Sequence, residues 1–384
     1  MKSYHLALAS LALILSVPAC GPGNISGNSD DATGASGLFL SFEKPAENPI
    51  VGADSTLTFF CPMKEADVQW QKADVFNPAA IVKDGKVHLL LRCEDNPDAI
   101  LGGRTSRIGL ATSSDGIHFE RYPEPVLYPA NDGFEVWDFP GGCEDPRVAV
   151  TEDGLYVMAY TAWNQDVARL SIAFSRDLVH WEKKGPAFAS AYDGKFLDRW
   201  SKSGSMLTRM DGDRQTLVKK DGRYWMYWGE DFINLAWSEN LADWYPQVDE
   251  AGELLPIVET RPGHFDSRLT ECGPPALWLE EGIVLLYNGK NAEDESADPA
   301  LPRGTYSVGK VVFDPDDLTT VRSRLDQPLL KPSLPHEMTG QYASGTTFAE
   351  GLVHFQGKWF LYYGTADSYV GVAVQEDPPG AGPE

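Results

Sequence analysis

Five times along this chain a short turn containing glycine is followed by a dense apolar or aromatic run. These are Asp84-Gly85 before Val87 to Leu91, Asp153-Gly154 before Leu155 to Tyr160, Asp221-Gly222 before Tyr224 to Trp228, Glu281-Gly282 before Ile283 to Tyr287, and Gln356-Gly357 before Trp359 to Tyr363. Each is a hairpin signal. A fixed order of turn and strand returning roughly every 60 to 75 residues means that one supersecondary unit has been copied. An apolar segment precedes the turn, as in Ala79 to Val82, Val148 to Val150 and Ala276 to Leu279, and most turns are followed by a third, such as Ile108 to Ala111 or Leu170 to Phe174. Three or four antiparallel strands per unit result. Several units add a further signature: Ser114-Asp115-Gly116-Ile117-His118-Phe119, Ser175-Arg176-Asp177-Leu178-Val179-His180-Trp181, Ser238-Glu239-Asn240-Leu241-Ala242-Asp243-Trp244 and, more loosely, Asp316-Asp317-Leu318. Its aromatic residue is expected to pack between sheets. Units of this size and content stack radially around a channel and so bury both faces of each sheet, which predicts an all-β, five-bladed β-propeller. A β-sandwich would leave the fivefold return unexplained.

The start of the chain reads differently. Lys2 precedes an apolar run from Leu6 to Val17, too short to span a bilayer, which ends in Val17-Pro18-Ala19-Cys20. That pattern resembles a bacterial lipoprotein signal and implies a signal peptide at 1–19 and a lipid on Cys20. Acyl chains contribute about 0.8 kcal/mol per buried CH₂, so two or three of them anchor firmly. Residues 20–37, rich in Gly, Ser, Asn and Asp, read as a flexible tether, leaving 38–384 as one catalytic domain. The expected location is therefore outside the cytoplasm, periplasmic or at the cell surface, with the lipid as the only contact with membrane.

A net charge of -24 argues against nucleic acid, which demands clustered Lys and Arg. A neutral sugar makes no such demand, and eleven Trp and fifteen Tyr offer flat surfaces suited to packing and to sugar faces. Of the five cysteines, Cys61, Cys93, Cys143 and Cys272 remain once Cys20 is assigned to lipid. None has zinc spacing, and the sequence leaves packed thiols or a bridge open. No metal or cofactor is expected.

In a propeller the inner strands converge on the axis, so polar residues at their ends share one pocket although far apart in sequence. Equivalent places in successive units hold Asn77, Asp145, Lys202, Glu271 and the segment Tyr342-Ala343-Ser344-Gly345, while the second strands end in Arg92-Cys93-Glu94-Asp95, Trp228-Gly229-Glu230, Tyr287-Asn288-Gly289 and Gly364-Thr365-Ala366-Asp367. Glycosidic cleavage needs a protonated carboxyl for the leaving oxygen and, with inversion, a carboxylate holding water on the opposite face. Crowded carboxylates supply both states, because repulsion pushes their pKa values apart.

Phe76-Asn77-Pro78-Ala79, Arg92-Cys93-Glu94-Asp95, Glu144-Asp145-Pro146-Arg147, Gly273-Pro274-Pro275 and Tyr362-Tyr363-Gly364-Thr365-Ala366-Asp367 together resemble glycoside hydrolase family 130, the mannoside phosphorylases and β-1,2-mannosidases. The resemblance spans roughly Gln69 to Val374 and implies a five-bladed propeller acting on a β-mannoside glycan. It implies that Asp145 is the proton donor, acting in the phosphorylases through a sugar hydroxyl, and that Asn77, Arg92, Asp95, Arg107 and Asp367, with the adjoining Glu94, hold the mannose. Glu144 and Arg147 are read equally as ligand contacts or as buried scaffold. The phosphorylases place a basic residue ahead of Gly-Pro-Pro and a His in Tyr-His-Gly, where this chain has Glu271 and Asn288. A carboxylate there repels phosphate and can take a proton from water. Glu230 falls where the β-1,2-mannosidases have their other glutamate. The expected activity is therefore inverting hydrolysis of β-1,2-linked mannooligosaccharides, with Asp145 as acid and Glu230 and Glu271 jointly on the water. Lys202 and Arg92 remain as cations that could serve phosphate, which keeps a phosphorylase as the alternative, beside a noncatalytic glycan-binding propeller; otherwise Lys202 binds a sugar hydroxyl or pairs with a glutamate, and Asn288 joins it among the substrate contacts.

Overall fold

The computed structural model of the protein describes residues 38, 39, 41–99 and 103–377, so the leader, Cys20 and the tether lie outside the described residues. Three of the five turns close on two loop residues of which the second is glycine: Lys83 pairs with Lys86, Lys220 with Arg223, and Phe355 with Lys358. Both central residues of each have positive φ, 52° and 68° at Asp84-Gly85, 54° and 78° at Asp221-Gly222, 52° and 76° at Gln356-Gly357. This geometry matches the right-handed twist of flanking strands, and it is why glycine recurs at the second loop position, preceded twice by aspartate.

The described residues are almost wholly β, with one four-residue α-helix, Glu135–Asp138. Successive hairpins build five antiparallel units. The first runs Asp74–Lys83, Lys86–Glu94, Ser106–Ser113 and Glu120–Arg121. The second runs Gly142–Val150, Tyr156–Trp163, Ala168–Ser175 and Trp181–Pro186. Ser205–Asp211, Arg223–Trp228, Asn234–Ser238 and Tyr245–Pro246 form the third. In the fourth, Leu269–Cys272 and Ala276–Leu279 both pair with Gly282–Lys290, which is followed by Tyr306–Phe313 and Val321–Arg324. The fifth has Phe348–Phe355, Lys358–Thr365 and Tyr369–Glu376. Its last strand is met by bridges from Glu43 and Val51, a closure by the early chain that the repeat does not reveal.

Strand residues alternate between two faces, and each face feeds a different core. Leu89 and Leu91 join a cluster shared with Val353, Tyr362 and Val372 of the fifth unit, whereas Leu90 joins one shared with Val148 and Met158 of the second. Three further clusters join the second unit to the third, the third to the fourth, and the fourth to the fifth. Every unit thus covers both neighbours, and the first covers the last.

The outer turn signature is a hydrogen-bonded device. The Ser175 hydroxyl accepts the Leu178 N–H at 2.9 Å, and Asp177 Oδ1 accepts Val179 and His180 N–H, both at 2.8 Å. Ser113 with Asp115 and Ser238 with Asn240 repeat the pattern. The turn aims its aromatic inward: Trp244 is fully buried between the second and third units, and Phe119 meets Tyr362 of the fifth edge-on. Cys61, Cys93, Cys143 and Cys272 are buried free thiols in these cores, and burial pushes that of Cys93 up to about 12.

Candidate active site

The site residues owe their direction to irregularities in the first strand of several units. Register slips between Phe76 and Pro78 and between Glu144 and Arg147 leave Asn77 and Asp145 outside the ladder at φ 46° and 47°. A bulged residue is free to aim its side chain away from the alternation, and Asn and Asp tolerate this left-handed backbone better than other side chains. Ser203, at φ 58°, stands just before the first strand of the third unit, and a slip between Ala349 and Gly351 releases Glu350 in the fifth. Gly364 is required opposite: a Cβ there would come within 1.9 Å of Asn77 Oδ1.

Around Asp145 the contacts are direct. Asn77 Nδ2 donates to Asp145 Oδ1 at 2.9 Å, and Arg92 Nη1 donates to the same oxygen at 3.0 Å. Arg92 Nη2 reaches Glu94 and Glu144, each at 2.9 Å, and its guanidinium lies over the Phe76 ring. Beyond Asp145 stands Lys202. Its ammonium is 3.7 Å from Asp145, 3.9 Å from Glu230 and 3.9 Å from Glu271, so three carboxylates from three units share one cation. Any two of those oxygens are then at most about 8 Å apart, which admits the ~6.5–9.5 Å spacing of an inverting pair. Ser203 Oγ donates to Glu271, and Trp200 Nε1 donates to Glu230 at 2.6 Å. Asp145 and Glu271 are each 2% exposed, while the Glu230 side chain is 28% exposed. Lys202 and Glu230 also line an open cleft of about 490 Å³, with Trp200, Arg268, Lys290 and Tyr306.

Electrostatics divide the carboxylates. Burial raises Glu144 and Glu271 to about 7, against the pull of Arg92 on the first and Lys202 on the second. Burial also raises Asp367, to about 6, with Arg92 opposing and Asp145 and Glu94 adding repulsion. For Asp145 burial is outweighed by Arg92, Lys202 and Arg147, which hold it below the usual carboxylate range. Lys202 stays protonated because Glu230, Glu271, Asp145 and Glu144 more than offset its desolvation. As pH falls through about 7, protons therefore settle on Glu144 and Glu271 before Asp145, which stays ionised.

Arg107, Asn288 and Arg147, each a candidate ligand contact, have their side chains engaged within the protein. Arg107 is wholly buried: it sits opposite Cys93 in the ladder and so on the same face, where its guanidinium meets Asp95 at 2.9 Å and the Phe59 ring. It supports Asp95, which Lys64 also holds at 2.7 Å. Asn288 pairs with Glu271 in the ladder, but its buried amide is spent on the backbone of Ala349, donating to its carbonyl at 3.1 Å and accepting its N–H at 2.8 Å. Arg147 donates to the carbonyls of Asp145, Cys272 and Gly273 and lies 3.1 Å from Glu350, both ends being fully buried, so its guanidinium is occupied within the protein. Removing one partner of such a pair is costly, so Arg147→Met is expected to lose about 3–5 kcal/mol of stability, read from the denaturant midpoint.

The sequence reading missed Trp200, Ser203 and Glu350. Ser203 was within reach, adjoining Lys202 in Ser-Lys-Ser-Gly, and Glu350 announces itself as a charge inside the apolar strand Phe348–Phe355. Trp200 carries no signal beyond its type. Among the described residues no group of three His, Cys, Asp or Glu is arranged to hold a metal ion.

The glycoside hydrolase family 130 model, described as beta-1,4-mannooligosaccharide phosphorylase, matches residues 48–377. A 1,2-beta-oligomannan phosphorylase of Thermoanaerobacter sp. (strain X514) is 32% identical over 318 residues, covering 82% of this chain and 94% of that protein. A solved glycosyl hydrolase from Bacteroides ovatus is 48% identical with a TM-score of 0.86, over 90% of this chain and 96% of the other. Another solved structure, described by the words "The GH130 family of mannoside phosphorylases contains glycoside hydrolases that target beta-1,2 mannosidic linkages in Candida mannan", is 49% identical with a TM-score of 0.87, over 90% and 96% of the two chains.

Proposed function

The chain belongs to glycoside hydrolase family 130, and from that premise we propose that it is an inverting hydrolase releasing mannose from β-1,2-linked mannooligosaccharides. The observation that carries this reading is the Lys202 ammonium within 4 Å of Asp145, Glu230 and Glu271. Asp145 supplies the proton, directly or through a sugar hydroxyl. Glu230 and Glu271 hold and deprotonate the attacking water, Trp200 and Ser203 orienting one each. Asn77, Arg92, Glu94, Glu144 and Asp367 make the wall against which the mannose rests, with Asp95 behind them. Higher identity to structures described as hydrolases than to the phosphorylases supports hydrolysis.

The same proposal takes the five units as five propeller blades, supported by five cores that each join neighbouring units and return from the fifth to the first. It keeps 1–19 as a signal peptide, Cys20 as the lipid-bearing residue, 20–37 as a tether, and an exported location on the membrane surface.

Phosphorolysis is the second reading, favoured by the cations Arg268 and Lys290 in the cleft and by the names of the curated relatives. Incubation with β-1,2-mannobiose separates the two. Free mannose at equal rates with and without phosphate is expected; mannose 1-phosphate formed only with phosphate would overturn the assignment.

The charge states add a pH dependence. The working form needs one proton on Asp145 and none on the water-activating carboxylate, the reverse of how the free site places them. Coupled groups titrate as a set, so the working form is a fixed minor share of the singly protonated pair and vanishes when the last proton leaves. kcat/KM is therefore expected to fall as pH rises through about 7, the value at which Glu271 releases its proton. A rate that climbs through that pH would refute the shared-proton account.

A further inference from the structure

The cleft beside the carboxylates runs against the charge of the molecule. In a chain of net charge -24, Arg199, Lys202, Arg268 and Lys290 line it against only Glu230 and Asp231. Hydrolysis of a neutral mannoside employs Lys202 and leaves the other three cations without a role. A neutral sugar does not call for them, since cations gathered in a concave wall raise the local concentration of anions.

Their engagement leaves them available. Arg268 meets Asp231 at 3.1 Å, with side chains 56% and 66% exposed. Lys290 lies 3.5 Å from Glu293, whose side chain is 73% exposed, and within 5.5 Å of the ring centres of Tyr306 and Tyr342. Ion pairs with such exposed partners are weak and yield to a better acceptor. Arg199 is exposed and its side chain makes no ion pair among the described residues. The Arg268 N–H donates to the Lys290 carbonyl at 2.8 Å, so these two cations rise from paired backbone rather than from independent loops. Guanidinium groups favour oxyanions, which accept their forked donors in pairs.

Building on the glycosidase reading, we propose that this cleft receives an oxyanionic substituent, phosphate or carboxylate, borne by the sugar on the leaving side of the scissile bond. The mannose being released sits toward Asn77, Arg92 and Asp145, and its charged neighbour reaches Arg268, Lys290 and Arg199.

Three disaccharides at low ionic strength test it: β-1,2-mannobiose, the same compound phosphorylated at C6 of the reducing sugar, and a β-mannosyl uronic acid. kcat/KM for at least one charged substrate is expected to exceed the neutral one by roughly fivefold to tenfold, with the two charged arms naming the anion. That ratio should collapse in about 0.5 M sodium chloride and in the Arg199→Ala, Arg268→Ala double variant. Equal values for all three substrates, or a ratio indifferent to the double variant, would overturn the proposal. So would mannose 1-phosphate formed from neutral mannobiose and inorganic phosphate, which would place free phosphate in the cleft. Should no substrate be hydrolysed, calorimetric affinities of the same compounds give the same ratio, so a failed glycosidase reading and a failed anion site are told apart.

Discussion

Replacing Asp145 by Asn is expected to lower kcat on β-1,2-mannobiose by about 10²–10⁴-fold, the contribution of a positioned general acid. The substitution keeps the shape of the side chain and an acceptor oxygen for Asn77 Nδ2 and Arg92 Nη1, so the bulge at φ 47° and the contacts that define it have reason to persist. What disappears is the proton and one negative charge beside Lys202 and Arg92. Unchanged thermal unfolding with lost turnover would identify chemistry as the casualty. A protein that only binds glycan would behave oppositely, showing no turnover in either form and binding that the variant hardly changes.

Glu271→Gln is the second large effect, with turnover expected to drop by roughly 10²–10³-fold while KM changes little, the pattern of an interaction made mainly in the transition state. Ser203 Oγ can still donate to the amide oxygen, and the residue is 2% exposed, so little else can compensate for the lost proton acceptor. The decline of kcat/KM near pH 7 should also move, because the group whose burial places it there is gone. A variant with near-normal turnover would shift the whole burden of water activation to Glu230, whose better exposed side chain is held by Trp200.

The repeating architecture could be read from the chain because its turns are built from residues with few conformational alternatives. Asp84-Gly85 and Asp221-Gly222 adopt the positive φ pair that their types favour, and Gln356-Gly357 follows through its glycine. Proximity of the strand-end residues was legible for the same reason, and Asp145, Lys202, Glu230 and Glu271 do meet. Orientation was not. Whether Arg107 faces the site or the core depends on its phase along a strand, and being opposite Cys93 sends it to the apolar side. Asn288 is beside Glu271 as the pattern suggests, yet an amide with a free backbone across the gap bonds to that backbone instead of to a ligand. Bulges reset the phase by one residue, and no composition rule marks where the slip after Glu144 ends.

The bridges from Glu43 and Val51 onto Tyr369–Glu376 have a bearing on how the protein comes into being. The backbone at Glu43 and Val51 has to wait for the last strand to emerge from the ribosome before it finds its partner. Until then Leu89, Leu91 and Trp70 face water instead of Val353, Tyr362 and Val372. Since Asn77, Asp145, Lys202, Glu271 and Asp367 come from five successive stretches of translation, no prefix of the polypeptide owns a working fraction of the catalyst. Termination before Tyr369–Glu376 is therefore expected to abolish activity.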